Sequence, residues 1–222
     1  FSLAGLDRVL FPEWFAGIHH QVQVIGSSAG AFRAMCAVQQ DPLAAINRLA
    51  SAYSTTTYSS NKPTPREITA KALDLLTYMI DDEGKKSALE NDRFKAHLIV
   101  AKCLGATRFE GKFQQLRGLA MSAATNTIGR KHLAKLYTRY VFSSPGSNLS
   151  ISDPYHLPTQ YHLLTEGNIH AALLASGSIP VVIEGVTDIE GAPPGMYRDG
   201  GIIDYHFDIS LGPEDGLVLY PH

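Results

Sequence analysis

Two serines lie between glycines in QVQVIGSSAGAFRAM, residues 21–35, and one of them has the surroundings of a nucleophile. Ser28 is the central residue of GSSAG at 26–30, which matches the pattern G-x-S-x-G. In that pattern a strand turns sharply into a helix, so the central serine has a strained backbone and an exposed hydroxyl group. A strand-like run precedes the motif and a small-residue helix-like run follows it. We therefore predict a nucleophile at Ser28; a turn with a serine helix cap is the alternative.

The residues around Ser28 have predicted roles in such a turn. Gly26 and Gly30 lie two positions before and after it, where larger side chains are expected to collide. The backbone N–H of Ala29, at the start of the predicted helix, is expected to be one oxyanion donor. Ser27 fits the spacing less well, because its own flanking residues at these positions are not glycines.

A serine nucleophile needs a proton acceptor within hydrogen-bonding distance, and the sequence offers two kinds. Asp199 is followed by Gly200 and Gly201 in YRDGGIIDYH, and these glycines allow the backbone to turn tightly and approach another segment closely. The carboxylate is then able to accept the proton directly. Alternatively, an α/β-hydrolase triad would place His206 or His222 after Asp199 in chain order.

Three short motifs occur in the order typical of patatin-like phospholipases: GSSAG at 26–30, ALLASGSIP at 172–180 and DGG at 199–201. The chain resembles that family from the strand at Val22 to about Tyr205. The resemblance implies a dyad of Ser28 and Asp199 without histidine, acting on acyl esters of phospholipids or lysophospholipids. It also implies a three-layer α/β/α fold with a mostly parallel central sheet.

The chain departs from the family at the second oxyanion donor. The family has a glycine-rich loop after its first strand, whereas FSLAG, predicted as a strand, passes directly into LDRVLFPEW. Gly5 is the only glycine available there, and we expect it to contribute to the oxyanion site. Either loop residues are missing between Gly5 and Leu6, or the loop has been lost. In the second case the alternative is a non-catalytic lipid-binding or scaffold domain of the same fold.

Strand-like and helix-like runs alternate, which predicts a single α/β domain over 1–222 with a helical insertion at about 105–140. The predicted strands are 1–5, 22–25, 97–103, 181–183 and 216–220. The predicted helices are 29–39, 42–53, 66–81, 87–94, 113–122 and 168–175.

Charge and composition limit the binding partners and cellular locations that we expect for this protein. A net charge of -2 over 222 residues provides no field that attracts nucleic acid, so we expect no nucleic-acid partner. Without an apolar run of about 18 residues no membrane span is predicted, and we expect a soluble protein in the cytoplasm or at a membrane surface. Cys36 and Cys103 lie in apolar surroundings and are predicted to be buried thiols. No sequence feature indicates an oligomeric state.

Peripheral contact with a membrane requires apolar surface near the mouth of the site. The insertion at about 105–140 is our candidate for that surface. Phe11, Trp14 and Phe15 form a second aromatic cluster, for which packing at a helix end is the favoured explanation.

Charged residues near the predicted base do not indicate a metal ion or another cofactor. Asp199, Asp204 and Asp208 do not have the spacing of a calcium-binding loop. We expect one of them to be catalytic and the others to belong to a solvated loop. Arg198 is expected to pair with a carboxylate rather than to bind a lipid head group.

Overall fold

The structure is a computed structural model that describes residues 3–213 and 216–221. Its strands are β1 (Val22–Gly26), β2 (Phe94–Cys103), β3 (Tyr137–Ser143), β4 (Ser150–Ser152), β5 (Thr159–Leu163), β6 (Val186–Thr187), β7 (Met196–Asp199) and β8 (Ser210–Gly212). Its α-helices are α1 (Ala4–Val9), α2 (Ala29–Ala37), α3 (Pro42–Thr55), α4 (Pro65–Met79), α5 (Asp82–Glu90), α6 (Lys112–Ile128) and α7 (Ile169–Ser176). A π-helical turn covers Leu10–Trp14, and 3₁₀ turns cover Gly105–Arg108, Arg130–Lys135 and Gly200–Ile202.

Six strands form one central sheet in the order β5-β3-β2-β7-β6, with β1 also paired to β2. The pairs β1–β2 and β3–β5 are parallel, whereas β2–β3, β2–β7 and β6–β7 are antiparallel. β4 and β8 form a separate antiparallel pair. The predicted α/β class is confirmed, but the sheet that was expected to be mostly parallel is mixed.

The long central strand β2 brings two distant parts of the chain together. Its first half pairs with β1, up to Gly26 opposite Leu98, and its second half pairs with β7, from Asp199 opposite Val100. Both partners occupy the edge of β2 that β3 leaves free. Because β1 is parallel to β2 and β7 is antiparallel, their carboxyl ends meet two residues apart on β2.

Helical segments pack on both faces of the sheet. Residues of β2 that alternate with period two belong to different cores. Leu98 and Val100 pack in the larger core with α2, α3, α4 and α7. Ala101 and Cys103 pack in a smaller core with Leu133 and other residues of the segment between β2 and β3.

Two of the helices that line the larger core, α3 and α4, begin at side-chain caps. The Asp41 side chain accepts a hydrogen bond from Ala44 N (2.9 Å), and Pro42 is the first residue of α3. Thr64 caps α4 in the same way through Glu67 N (3.2 Å), again with a proline, Pro65, in the first turn. A side-chain acceptor followed by proline is a strong start signal, so both helices were predictable.

The predicted strand at the start of the chain is wrong for residues 3–5, while Phe1 and Ser2 lie outside the described residues. Ala4–Val9 is a helix in which Asp7 N donates to Leu3 O (3.0 Å). A buried ion pair between Asp7 and Arg33 (2.6 Å) fastens it to α2. A short apolar run does not distinguish strand from helix, and here tertiary contacts decide.

Other predicted boundaries also change. Residues 181–183 form a turn and 216–220 have no helix or strand. The helix predicted at 87–94 begins earlier and ends at Glu90, since Phe94 already belongs to β2. The insertion is helical only to Lys135, because Tyr137 starts β3. The strands β3, β5 and β7 were not predicted.

Candidate active site

Ser28 lies at the sharp turn between β1 and α2 and has φ 54° and ψ -128°. A non-glycine residue with positive φ is strained, so the surrounding structure must hold it. Ser28 N donates to Ser176 O (3.0 Å) and to Ser176 Oγ (3.1 Å). The Ser176 hydroxyl in turn donates to Ile99 O in β2 (2.7 Å). These bonds attach the turn to α7 and to the central strand.

The two glycines of the motif are not equivalent. A Cβ atom on Gly26 would lie 2.3 Å from the backbone carbon and oxygen of Gly30 and 2.6 Å from Ala31 N. A Cβ atom on Gly30 would meet no atom within 4 Å. The expectation that both positions must be small therefore holds at Gly26 and is wrong at Gly30, since the turn brings residue 30 over residue 26 and leaves the outer side of residue 30 open.

Asp199 ends β7 and is almost completely buried, with 5% of its surface exposed. Its backbone N donates to Ser178 O (3.2 Å), and its Oδ1 accepts a hydrogen bond from Gly201 N (2.7 Å). Burial raises the pKa of the carboxyl above its ordinary value of 3.8, while the hydrogen bonds from Gly201 and Ser28 reduce that rise. A higher pKa makes the carboxylate a stronger base.

The structure brings Ser28 and Asp199 close enough for the Ser28 side chain to lower the pKa of the Asp199 carboxyl. This proximity follows from the sheet, because β1 ends opposite Leu98 and β7 ends opposite Val100, two residues apart on β2. Gly200 permits the close approach, since a Cβ atom there would lie 2.3 Å from Ile99 O. Gly201 supplies the N–H that orients the carboxylate.

The two predicted oxyanion donors have different surroundings. Ala29 is exposed and begins α2, so its N–H has no intrahelical carbonyl to bind and is available to a substrate oxygen. Gly5 lies inside the continuous helix α1, on its exposed side. Its environment is thus helical, which differs from the loop expected for it.

A buried ionic network supports the loop that follows the base, and sequence reasoning missed it. Arg139 in β3 donates from Nε to Asp204 Oδ2 (2.6 Å) and from Nη2 to Asp204 Oδ1 (2.7 Å). It also binds Asp153 Oδ2 (2.7 Å), and Arg130 binds Asp204 Oδ1 (2.8 Å). Asp204 N donates to Gly200 O (2.9 Å), so the network fixes the backbone beside Asp199. Its members are distant in sequence, so no local motif predicts the network.

The described histidines with fixed partners serve other parts of the fold. His97 bonds to Ser143 Oγ (2.9 Å) and Gln23 Oε1 (2.8 Å). His170 bonds to Ile80 O (2.9 Å). The His206 ring packs edge-on against Tyr205 at 5.0 Å. His222 lies outside the described residues.

The remaining charged candidates have separate partners. Arg198 is buried and pairs with Glu110 (2.8 Å), as expected. Asp208 accepts a hydrogen bond from Tyr155 Oη (2.7 Å), so it does not share a site with Asp199. Within the described parts of the chain, no group of three or more His, Cys, Asp or Glu side chains is arranged to hold a metal ion. Cys36 and Cys103 are buried free thiols.

The aromatic cluster near the start of the chain is mostly internal. The Phe11 and Phe15 rings lie 5.9 Å apart and each contacts Phe94. Trp14 alone is largely exposed. This agrees with packing at a helix end.

Comparison with known proteins found no matching family model, no matching curated protein and no matching solved structure. The resemblance to patatin-like phospholipases thus depends on the three ordered motifs. Over residues 3–213 and 216–221, no helix has both the length and the apolar character needed to cross a bilayer.

Proposed function

We propose that this chain is a lipid acyl hydrolase of the patatin-like type, with Ser28 as nucleophile and Asp199 as general base. The observation that carries the proposal is that the strained Ser28 turn and the buried Asp199 carboxyl, whose pKa is raised by burial, lie where β1 and β7 end on the same edge of β2. The presence of helical cores on both faces of the sheet supports the finer assignment of a three-layer α/β/α fold. Phospholipids or lysophospholipids are the proposed substrates.

In the proposed reaction, Asp199 removes the Ser28 proton while the serine oxygen attacks the ester carbonyl carbon. The oxyanion that forms is stabilised by the Ala29 N–H, together with the positive end of α2. The carbonyl re-forms, the C–O bond to the alcohol breaks, and Asp199 returns the proton to the leaving group. Water, deprotonated by Asp199, then attacks the acyl carbon; the bond to the Ser28 oxygen breaks, Asp199 returns the proton to that oxygen, and the fatty acid is released.

The central test compares single substitutions at the two residues. Ser28→Ala and Asp199→Asn should each abolish hydrolysis of a short-chain ester and labelling by a fluorophosphonate probe, while the thermal unfolding midpoint changes little. The double variant should be scarcely worse than either single one, because both residues act in one step. Ser27→Ala is the matched control and should keep most activity. Equal loss in both serine variants would show that the elbow is misassigned.

Histidine substitution separates the dyad from a triad. Replacing His206 or His222 with alanine should change turnover only a few-fold, whereas loss of a triad histidine costs roughly 10⁴-fold. A loss of activity in either variant, with its fold intact, would favour the Ser-Asp-His esterase instead.

The pH dependence of kcat/KM tests the base. The pH below which kcat/KM falls should lie above the ordinary pKa of an aspartate, since activity requires the ionised Asp199 and burial raises its pKa.

A non-catalytic lipid-binding domain is the second candidate. The observation that favours it is the helical environment of Gly5, which leaves the Ala29 N–H without a second described oxyanion donor from that segment. Absence of fluorophosphonate labelling at Ser28 in a folded protein would support this candidate.

A further inference from the structure

Helix α6 exposes large apolar side chains, whereas an ordinary surface helix buries them. Its buried residues are Gln115, Gly118 and Ser122, and Leu119 and Met121 are partly buried. Its outer face carries Phe113 and Ile128, which are 80% and 79% exposed. Apolar groups gathered on one exposed face indicate a docking surface. Leu116, 49% exposed, lies on the same face.

The polar side chains beneath α6 are used in the fold, which explains their burial. Gln115 Oε1 accepts a hydrogen bond from Val181 N (2.6 Å). The Ser122 hydroxyl bonds to Tyr137 Oη (2.7 Å). Gly118 lies against Thr107, where a Cβ atom would already be in ordinary contact, 3.4 Å from Thr107 Cα. The helix orientation is therefore fixed from below.

The same part of the chain is strongly basic. Between residues 108 and 135 there are six Lys or Arg residues and one acidic residue, Glu110. This gives the segment a formal charge of +5 in a chain of net charge -2. Glu110 pairs with the buried Arg198 rather than with an exposed cation. The exposed cations of the segment are Arg108, Lys112, Arg117, Lys131 and Lys135.

The inner side of α6 is connected to the candidate active site. Gln115 accepts a hydrogen bond from Val181 N, and Val181 lies three residues after Ser178, the acceptor for Asp199 N. That turn adds exposed Ile179 and Val182 to the apolar surface.

We infer that the outer face of α6, formed by Phe113, Leu116 and Ile128 with the surrounding cations, docks the protein on an anionic lipid surface. Charge complementarity selects this occupant, because apolar groups ringed by lysine and arginine are the pattern of helices that lie in an anionic membrane interface. The inference rests on the proposed function, since the lipid layer supplies the ester that Ser28 would cleave. The binding step itself requires no catalysis.

The test measures binding of Ser28→Ala protein to vesicles by co-sedimentation, so that hydrolysis does not enter the result. Vesicles of phosphatidylcholine mixed with phosphatidylglycerol should bind the protein, and vesicles of phosphatidylcholine alone should bind it much less. Lys112→Gln with Arg117→Gln should weaken binding to the anionic vesicles by about 25-fold, at about fivefold for each cation. Phe113→Gln with Leu116→Gln should weaken it by about 100-fold or more.

The matched control lies on another exposed helix. Lys71→Gln with Leu73→Gln removes one cation and one apolar side chain at exposed positions of α4 and should leave vesicle binding unchanged. The inference is overturned if the α6 and α4 variants bind alike. It is also overturned if the α6 substitutions convert a dimer into a monomer without affecting vesicle binding, since the face would then be a self-association surface.

The separate ester assay keeps the two proposals distinguishable. Charge-dependent vesicle binding without Ser28-dependent hydrolysis of a soluble ester would retain the lipid-docking face and reject the hydrolase. If Ser28-dependent hydrolysis is observed but the α6 substitutions leave vesicle binding unchanged, only the docking face is rejected. High salt should release the wild-type protein from anionic vesicles, because screening weakens charge attraction.

Discussion

Gly26 and Gly30 flank the candidate nucleophile symmetrically in sequence, but their replacement by alanine should have opposite effects on stability. A Cβ atom on Gly26 would lie 2.3 Å from the carbonyl carbon and oxygen of Gly30, whereas ordinary contact begins at 3.4 Å. The backbone would therefore have to move by about 1 Å, the difference between these two distances. The atoms in the way are backbone atoms of the turn itself, and no flexible side chain is able to absorb the change.

The magnitude follows from that displacement. Forcing an extra carbon into a packed position costs about 1–3 kcal/mol, so Gly26→Ala should lower the free energy of unfolding by that amount. A misplacement of about 1 Å in a catalytic group typically costs about 10²-fold in rate, and the moving turn carries Ser28. Gly30→Ala places its Cβ in open space within α2. Because alanine is favoured over glycine in helices by about 0.8–1 kcal/mol, its stability should be equal or higher.

The assay is urea unfolding followed by circular dichroism, with hydrolysis of a short-chain ester measured on the same preparations. Gly26→Ala should unfold at lower urea concentration than wild type and lose at least tenfold more activity than Gly30→Ala. The reasoning is refuted if Gly30→Ala loses as much stability as Gly26→Ala. It is equally refuted if Gly26→Ala is as stable as the wild type.

Two further predictions concern buried polar groups away from the dyad. Burial lowers the pKa of His97 from 6.5 to about 4, so between these pH values the unfolded state binds a proton that the folded state does not. The free energy of unfolding should therefore be unaffected by His97 above pH 6.5 and fall by about 3 kcal/mol as the pH decreases to about 4. His97→Gln, compared with its own stability at neutral pH, should lose that part of the pH dependence, and an unchanged pH dependence would contradict the assignment. Arg139→Ala leaves the carboxylates of Asp204 and Asp153 buried without their partner and should lower the free energy of unfolding by about 3–5 kcal/mol in urea titration. A loss below about 1 kcal/mol would show that the network relaxes or admits water.

Local sequence signals predicted the parts of this protein that depend on local chemistry. The G-x-S-x-G spacing placed Ser28 at a strand-to-helix turn, and the structure has β1 before it and α2 after it. The helices predicted to begin at residues 42 and 66 begin at Pro42 and Pro65. In each case the required hydrogen bond or backbone angle involves residues at most three or four positions apart.

Features that depend on contacts between distant segments were not predictable from local sequence patterns. The strand β7 has only four residues, and its pairing with β2 is antiparallel, a direction that no local pattern specifies. FSLAG has the composition of a strand, but the Asp7–Arg33 ion pair and the core contacts of Ala4 favour a helix. The insertion at about 105–140 was expected to supply apolar surface, but the orientation of α6 within it depends on the hydrogen bond from Val181 N to Gln115.

The sequence by itself determined which residues are able to carry the proposed chemistry: a serine in an elbow motif and an aspartate before two glycines. Only the tertiary structure decided that they meet, because the meeting requires β1 and β7 to pair with the same edge of β2 from opposite ends. It also decided that Gly26 is sterically required while Gly30 is not. Both outcomes depend on distances between atoms in the folded chain. The separation of two residues along the sequence does not determine those distances.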